Sequence, residues 1–306
     1  MNWQKKGLIY APSGDLWWAK SYAMLPTAEV LNEEIIRVYF ASLDENKFGR
    51  IGFVDVDAAN PNRILFESSE PILDLGELGT FDDSGVNPSC VLNINGRKFL
   101  YYIGWQRCGR VPYMLFAGLA VNNDNEKSFT KHSRIPILDR TPDEPFSRAA
   151  PFVFFENGIF KMWYWSCLNW TDEDGWIHYN NVIRYLESKD GISWNGTGDI
   201  CIAPQSSEDY SIGRPWVIKD SGVYRMWYSI RSSSDETPYR IGYSESTDGL
   251  NWQRKDEEAG ISTSASGWDS GMVCYPCVVD VKGKRYMFYN GNRHGSTGFG
   301  YAVLES

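Results

Sequence analysis

A proline-led pattern recurs five times along the 306-residue chain, and it constrains the fold more than any other feature. Each copy runs from a proline through an alternating apolar segment and a turn to an aromatic segment ending in tyrosine. The prolines are 62, 63, 64 and 61 residues apart, at Pro26, Pro88, Pro151, Pro215 and Pro276. The closing tyrosines are Tyr39, Tyr102, Tyr164, Tyr228 and Tyr289. Five similar units predict one closed repeat domain over residues 1–306.

Short aromatic and β-branched runs bounded by Gly, Asn and Asp are typical of β-hairpins, and helical periodicity is absent. Behind each hairpin comes a third strand, such as Tyr239–Ser244, and in places a fourth. We therefore predict an all-β fold, a five-bladed β-propeller with four-stranded antiparallel blades. Because the last repeat ends early, Gly7–Tyr10 is expected to supply its outer strand and close the ring.

The composition indicates a globular protein, with 42% hydrophobic and 15% aromatic residues. A formal net charge of −9 argues against nucleic-acid binding, which depends on clustered Lys and Arg. The sequence contains neither a leader-like start nor a long apolar run, so we expect a cytoplasmic protein without a membrane partner. Cys274 and Cys277 form a C-x-x-C pair inside a strand pattern, which favours buried thiols over a redox or metal site. No cofactor and no metal are expected.

Two further segments match each other as S-x-D-G-x-x-W, at Ser188–Trp194 and Ser246–Trp252. Asp-Gly is expected to form the turn of an outer hairpin, with the Trp packing back on the blade. With the proline-led repeat, these turns resemble the five-bladed propeller glycoside hydrolases, the group containing families 32, 43, 62, 68 and 130. Segments such as Tyr102–Trp105 and Arg225–Ser229 look most like uncharacterised propeller proteins that accompany surface-polysaccharide genes. The resemblance implies a carbohydrate ligand in a central pocket.

The resemblance does not carry the usual catalytic residues with it. In families 43 and 32 the catalytic carboxylates typically precede the first-blade proline, lie in the third blade and lie near the fourth-blade proline. The matching positions here are Leu25, Ala150 and Gly213–Arg214, and none is acidic. We therefore do not transfer the chemistry of those families to this chain.

Other acids cluster upstream of the repeat prolines, and two interpretations of them stay open. Asp83, Glu208 and Asp269 are the candidate catalytic residues, because glycoside hydrolysis requires a protonated acid and an opposing carboxylate. Glu144 occupies the same position as Glu208 and Asp269, seven residues before its proline. Alternatively these acids belong to interblade turns, where aspartate accepts hydrogen bonds from backbone N–H groups.

Two arginines also lie just before repeat prolines. Arg148 and Arg214 would suit a carboxylate or phosphate on the ligand, or they would neutralise the nearby acids. Aromatic residues at strand ends could stack on sugar rings, although most aromatics in such a repeat belong to the core. The full set of candidate substrate-binding residues is Asn87, Trp105, Arg148, Trp165, Arg214, Tyr275, Asn292 and His294.

Three functions follow from these observations. The first is a glycoside hydrolase-like enzyme acting on a glycan or an activated sugar in a central pocket. The second is a propeller that binds sugar without turnover. The third is an accessory or tailoring enzyme of polysaccharide biosynthesis that acts on a nucleotide-linked sugar, for which the two arginines are the motivating residues.

Overall fold

The computed structural model describes residues 1–123, 128–173, 175–206, 208–233 and 238–305. Strands dominate it, which confirms the all-β fold class; helical structure is limited to the 3₁₀ turn Asp256–Glu258 and the single turn Asn292–Gly295. The strands in chain order are β1 (Trp3–Tyr10), β2 (Ser21–Val30), β3 (Ile35–Leu43), β4 (Gly49–Asp57), β5 (Ile64–Glu67), β6 (Gly85–Ile94), β7 (Arg97–Arg107), β8 (Tyr113–Asn123), β9 (Thr130–Lys131), β10 (Arg148–Glu156), β11 (Ile159–Glu173), β12 (Trp176–Ser188), β13 (Asp199–Ile202), β14 (Asp209–Asp220), β15 (Val223–Ser232), β16 (Tyr239–Ser246), β17 (Gln253–Arg254), β18 (Cys274–Val281), β19 (Lys284–Asn290) and β20 (Phe299–Leu304).

Antiparallel pairing divides these strands into consecutive sets of four. The sets are β2 to β5, β6 to β9, β10 to β13, β14 to β17, and β18 to β20 with β1. Single parallel bridges join the first four sets in sequence order, for example Gly49 with Gly85 and Asn181 with Ser211. Each set therefore corresponds to one repeat of the sequence.

The N-terminal strand belongs to the last set. β1 pairs antiparallel with β20 from Trp3 opposite Leu304 to Tyr10 opposite Phe299. The buried Trp3 ring packs edge-on against Trp227 at 6.1 Å. Buried Asn290 ties the same set to the first one, since its side-chain oxygen accepts a hydrogen bond from the backbone N–H of Leu25 at 2.7 Å. The two ends of the chain are thus joined through both backbone pairing and packing.

The closing tyrosine of every repeat is buried, and its hydroxyl contacts a carboxylate. The pairs are Tyr39 with Glu29 (2.7 Å), Tyr102 with Asp82 (2.8 Å), Tyr164 with Glu144 (2.8 Å), Tyr228 with Asp256 (2.5 Å) and Tyr289 with Asp269 (2.9 Å). Burial raises the pKa of all five hydroxyls, so each stays protonated and donates to its carboxyl partner. A charge-assisted hydrogen bond of this kind satisfies a polar group that would otherwise be unpaired in the core.

The two Asp-Gly turns form as the sequence predicts. In the first, the Asp190 carboxylate accepts hydrogen bonds from the backbone N–H groups of Ile192 and Ser193 at 2.9 and 2.8 Å. The Trp194 indole donates to the carbonyl of Gly191 at 3.2 Å, so the ring folds back on its own turn. The same carbonyl accepts from the Tyr101 hydroxyl of the second set at 2.9 Å. The turn therefore also links one set of strands to the preceding set.

All six cysteine thiols are free, and Cys274 and Cys277 are buried in β18. Burial raises the pKa of both thiols, which keeps them protonated and unreactive, in agreement with the buried-thiol interpretation. In the part of the chain that the structure describes, no helix has the length and apolar character needed to cross a membrane.

We expect the β1 strand to contribute substantially to stability. Trp3→Ala removes a 5% exposed ring and should lower the free energy of unfolding by about 3–5 kcal/mol. Leu8→Ala is the matched control on the same strand, because Leu8 is 40% exposed and surface substitutions usually change stability by less than about 0.5 kcal/mol. Chemical denaturation of both variants measures the difference, and equal effects would show that β1 is not part of the folded core.

Candidate functional site

A small cavity of about 140 Å³ lies where the first strands of all five sets meet. Each of these strands contributes the residue directly before its repeat proline. These five lining residues are Leu25, Asn87, Ala150, Arg214 and Tyr275. The residues that directly precede the five repeat prolines therefore meet at one common cavity.

An irregular backbone aims these side chains at the cavity. Each first strand has a register shift at its repeat proline, as between Gly213 and Trp216 in β14. The preceding residue has a left-handed conformation in four of the five strands, with φ of 53° at Leu25, 48° at Ala150, 55° at Arg214 and 57° at Tyr275. That conformation costs roughly 1–2 kcal/mol for a residue with a side chain. Backbone strain of this kind concentrates at functional sites.

The walls of the cavity are aromatic. Trp165, Tyr179, Tyr239 and Tyr275 line it together with Tyr113. Trp165 packs edge-on against Tyr179 at 6.2 Å, and Tyr239 packs against Tyr275 at 6.1 Å. These contacts hold the rings in fixed orientations, so that their remaining surface is available to a ligand.

A glycine makes room for the Trp165 wall. A Cβ added at Gly213 would lie only 2.4 Å from Cδ1 of Trp165, so any larger residue at that position would displace the ring. Gly213 and Trp165 belong to adjacent sets, in β14 and β11 respectively. The small residue therefore sets how closely these neighbouring sets approach each other at the cavity.

Two polar atoms in the lining are buried and have no hydrogen-bond partner, namely Oδ1 of Asn87 and Nε of Arg214. The rest of the Arg214 guanidinium is held by the carbonyl of Ser89 at 2.7 Å and by Oγ1 of Thr27 at 2.8 Å. Burial lowers the pKa of Arg214 to about 10, so it still carries its charge at neutral pH. Buried polar atoms are normally satisfied, and an acceptor and a donor without partners in the same lining are suited to ligand hydroxyl groups.

Arg148 lies outside this cavity, and its two terminal nitrogens are bonded by residues close to its own set of strands, while its Nε has no hydrogen-bond partner. Its guanidinium forms an ion pair with Glu144 at 3.0 Å and donates to the carbonyls of Asp139 and Gly196 at 2.6 and 2.9 Å. Glu144 in turn accepts hydrogen bonds from Tyr164 and from Ser166. For Arg148, the geometry agrees with charge neutralisation rather than ligand binding.

The three candidate catalytic carboxylates do not line the cavity. Asp83 accepts hydrogen bonds from the backbone N–H of Gly79 and the hydroxyl of Ser84, both at 2.9 Å, which is the turn arrangement considered above. Asp269 is 2% exposed and pairs with Lys5 at 2.7 Å. Glu208 is exposed and directly precedes β14. Among the described residues that line the cavity, none is acidic.

Two other candidates also have structural contacts outside the cavity. The Trp105 indole packs between strands, since a Cβ at Gly85 would lie 1.9 Å from its Nε1. Asn292 accepts a hydrogen bond from the backbone N–H of Gly271 at 2.7 Å and donates to the carbonyl of Gly267 at 3.0 Å. Neither residue is part of the cavity lining.

His294 contacts the cavity wall from behind. Its ring stacks on Tyr275 at 6.2 Å and meets the edge of Tyr239 at 4.9 Å. Burial and, to a lesser extent, the positive charge of Arg231 lower the pKa of His294 to about 4. The imidazole is therefore neutral at physiological pH.

The sequence analysis missed the wall residues Tyr113, Tyr179 and Tyr239, and it missed Arg231, which contacts two of them. They come from the second and third strands of their sets, at the end nearest the repeat prolines. Arg231 lies opposite Tyr239 in the pairing of β15 with β16. The signal that could have located the tyrosines is the antiparallel order of the strands, because the second strand returns to the end where the first one began and the third strand starts there.

A larger groove of about 680 Å³ lies at the outer edge of the first two sets. Its charged residues are paired with each other or with neighbours, as Arg37 is with Asp55 at 2.8 Å and Lys98 is with Glu29 at 2.8 Å. In contrast to the central cavity, the described residues of its lining come from these two sets and the loops next to them. We therefore take the central cavity as the candidate site.

The lowered pKa of His294 predicts a pH-dependent contribution to stability. Its unfolded pKa of about 6.5 exceeds the folded value, so the unfolded chain binds more protons between these values. The contribution of neutral His294 to the free energy of unfolding is fully present above about pH 6.5. It is lost as the pH falls towards 4. His294→Asn, which tolerates the φ of 60° at this position, should remove part of that loss in melting curves. The exposed His132→Asn should retain it; identical profiles for the two variants would contradict the assignment.

No family model matches the chain, but whole-length relatives and structural neighbours do. The chain is 39% identical over 306 residues to the uncharacterized protein Rv1502 of Mycobacterium tuberculosis, covering 100% of both chains. It is also 26% identical over 127 residues to a 1,2-β-oligomannan phosphorylase from Thermoanaerobacter, covering 39% of this chain and 42% of that one.

Solved structures show the same fold. A glycosyl hydrolase from Bacteroides ovatus matches with a TM-score of 0.75 at 16% identity, covering 99% of this chain and 92% of that one. A second solved structure belongs to work on the family 130 mannoside phosphorylases, a family that contains glycoside hydrolases acting on β-1,2-mannosidic linkages. It matches with a TM-score of 0.73 at 14% identity, covering 99% of this chain and 94% of that one. The resemblance to glycoside hydrolase-like propeller proteins is thereby confirmed. The chain belongs to the same family as Rv1502 of Mycobacterium tuberculosis, within the glycoside hydrolase-like propeller fold.

Proposed function

We propose that this protein is a carbohydrate-active protein that binds one sugar unit of a glycan or activated sugar in the central cavity. In this proposal the five sets of strands are the blades of a single five-bladed propeller over residues 1–306. The observation that carries it is the convergence of five pre-proline residues, four of them strained, on one aromatic cavity. The relatives whose names state a chemistry act on glycans, which supports the same class.

The lining has the chemistry that a sugar ring needs. Tyrosine and tryptophan surfaces cover the apolar faces of a pyranose, and the free Oδ1 of Asn87 and Nε of Arg214 would bind its hydroxyl groups. Typical pockets for drug-sized ligands measure ~300–1,000 Å³. A cavity of about 140 Å³ therefore suits the terminal unit of a glycan rather than several units at once.

Recognition is supported more strongly than hydrolysis. Glycoside hydrolysis uses two carboxyl groups on either side of the scissile bond, and the described lining contains none. Asp269 is already bonded to Tyr289 and Lys5. Catalysis by Asp83, Glu208 and Asp269 stays a prediction, as does the cytoplasmic location.

We expect Asn87→Ala to weaken sugar binding by roughly 10-fold without lowering the melting temperature. The Oδ1 atom that is removed has no partner in the folded protein, so its removal breaks no internal hydrogen bond. In the complex, one hydrogen bond to the ligand is worth ~0.5–1.5 kcal/mol, and leaving the ligand hydroxyl unpaired costs more. Calorimetric titration with a panel of monosaccharides and short oligosaccharides measures the affinity. Asn93→Ala is the matched control, because Asn93 is exposed on the same strand β6.

Release of sugar from aryl glycosides by the wild-type protein, lost in Asp83→Asn or Asp269→Asn, would establish hydrolysis instead of recognition alone. Binding without product supports recognition alone. If no sugar in the panel binds, or if Asn87→Ala and Asn93→Ala behave alike, the central cavity is not the sugar site and the proposed function is wrong.

A further inference from the structure

Resting on the proposed function, we propose that the sugar carries a negatively charged group and that Arg231 binds this group at the cavity wall. Arg231 would be a specificity-determining residue. The chemistry is that of a carboxylate or phosphate attached to the bound sugar.

Arg231 lies in an aromatic cage rather than in an ion pair. Its guanidinium carbon is 5.2 Å from the ring centre of Tyr179, 5.3 Å from that of Tyr210 and 5.5 Å from that of Tyr239, and it donates a hydrogen bond to the Tyr179 hydroxyl. Aromatic faces stabilise a cation without cancelling its charge. Tyr179 and Tyr239 both line the cavity, so the guanidinium contacts two residues of its wall, although Arg231 itself is not part of the lining.

The other partly buried arginines near the same strands have carboxylate partners. Arg148 pairs with Glu144, Arg240 with Asp209 and Arg254 with Asp256. Within residues 1–123, 128–173, 175–206, 208–233 and 238–305, Arg231 has no carboxylate at ion-pair distance, and neither has Arg214. Arg214 lines the cavity, and Arg231 contacts two tyrosines of its wall, while the described lining contains no acid.

The titratable groups around the cavity do not offset this charge. Burial raises the pKa of Tyr239 and Tyr275, so both hydroxyls stay protonated and uncharged. Burial lowers the pKa of Arg231 while the surrounding tyrosines raise it, and the net direction is upward. A buried charge is costly unless an opposite charge compensates it, and a ligand anion supplies that compensation.

The planar guanidinium fits a carboxylate or phosphate through two parallel N–H···O bonds, which a neutral sugar cannot offer. Hexuronic acids carry a carboxylate on the ring itself. Hexose phosphates and nucleotide-linked sugars carry a phosphate on the anomeric oxygen. The two sources share the chemistry that Arg231 recognises, and a binding panel separates them.

The test is calorimetric titration of the wild-type protein with three matched groups of ligands: glucose, galactose and mannose; their uronic acids; and glucose 1-phosphate with UDP-glucose. We expect at least one anionic group to bind at least roughly 10-fold more tightly than its neutral counterpart, as charge-assisted hydrogen bonds contribute more than neutral ones. Arg231→Gln should remove this preference, because it should weaken the binding of the anionic ligands roughly 10-fold more than that of their neutral counterparts. Arg63→Gln is the control, since it removes the same charge at a side chain that is 69% exposed and far along the sequence from the cavity strands.

Equal affinities for neutral and anionic sugars, with no effect of Arg231→Gln, would overturn this inference and leave the proposed function intact. Absence of binding to all three groups would overturn both. If Arg231→Gln does not fold, Arg231→Lys replaces it in the test. Lysine keeps the positive charge but lacks the planar guanidinium that makes two parallel hydrogen bonds, so the preference for anionic sugars should shrink without vanishing. Raising the salt concentration should weaken anionic binding to the wild-type protein, and salt-independent affinity would also contradict the inference.

Discussion

The interruption of each first strand at its repeat proline is the constraint on which the candidate site depends. Proline has no N–H to donate, so regular strand pairing is broken there and the register shifts. In four of the five strands the preceding residue takes a left-handed conformation instead of an extended one. The side chain before the proline is thereby presented to a common centre. One local irregularity, used five times, produces a cavity whose lining changes through single substitutions at five positions.

The contact between each closing tyrosine and a carboxylate explains why acids accumulate near the prolines. Asp82, Glu144 and Asp269 lie upstream of three of the prolines because each one accepts a hydrogen bond from the tyrosine of its own repeat. These carboxylates are buried with their cations and serve the core. An acid that neighbours a predicted cavity in sequence is therefore no guide to catalysis when a buried hydroxyl of the same repeat requires it.

The fold class was predictable because the proline spacing and the hairpin pattern recur five times along the chain. A weak hairpin signal in one repeat is supported by the same signal in the other four. Asn87, Trp165, Arg214 and Tyr275 were predictable because three of them directly precede a repeat proline and Trp165 directly follows the closing tyrosine of its repeat. Arg148 looked equivalent to Arg214 along the chain, yet an acid four residues earlier neutralises it. Arg231 could not be found in this way, because its role depends on rings contributed by β12, β14 and β16, which only the three-dimensional packing brings together.

The pairing of β1 with β20 has a consequence for how the protein is made. Trp3 lies opposite Leu304, so β20, the strand that pairs with β1, emerges from the ribosome only after four complete sets of strands. Until then the apolar side chains of β1 have no strand to pack against, and the edges of the neighbouring sets of strands stay exposed. Such a contact between distant parts of the chain forms late because the loop that it closes is so long. The nascent protein is thus most vulnerable to association with other chains just before its last strand appears.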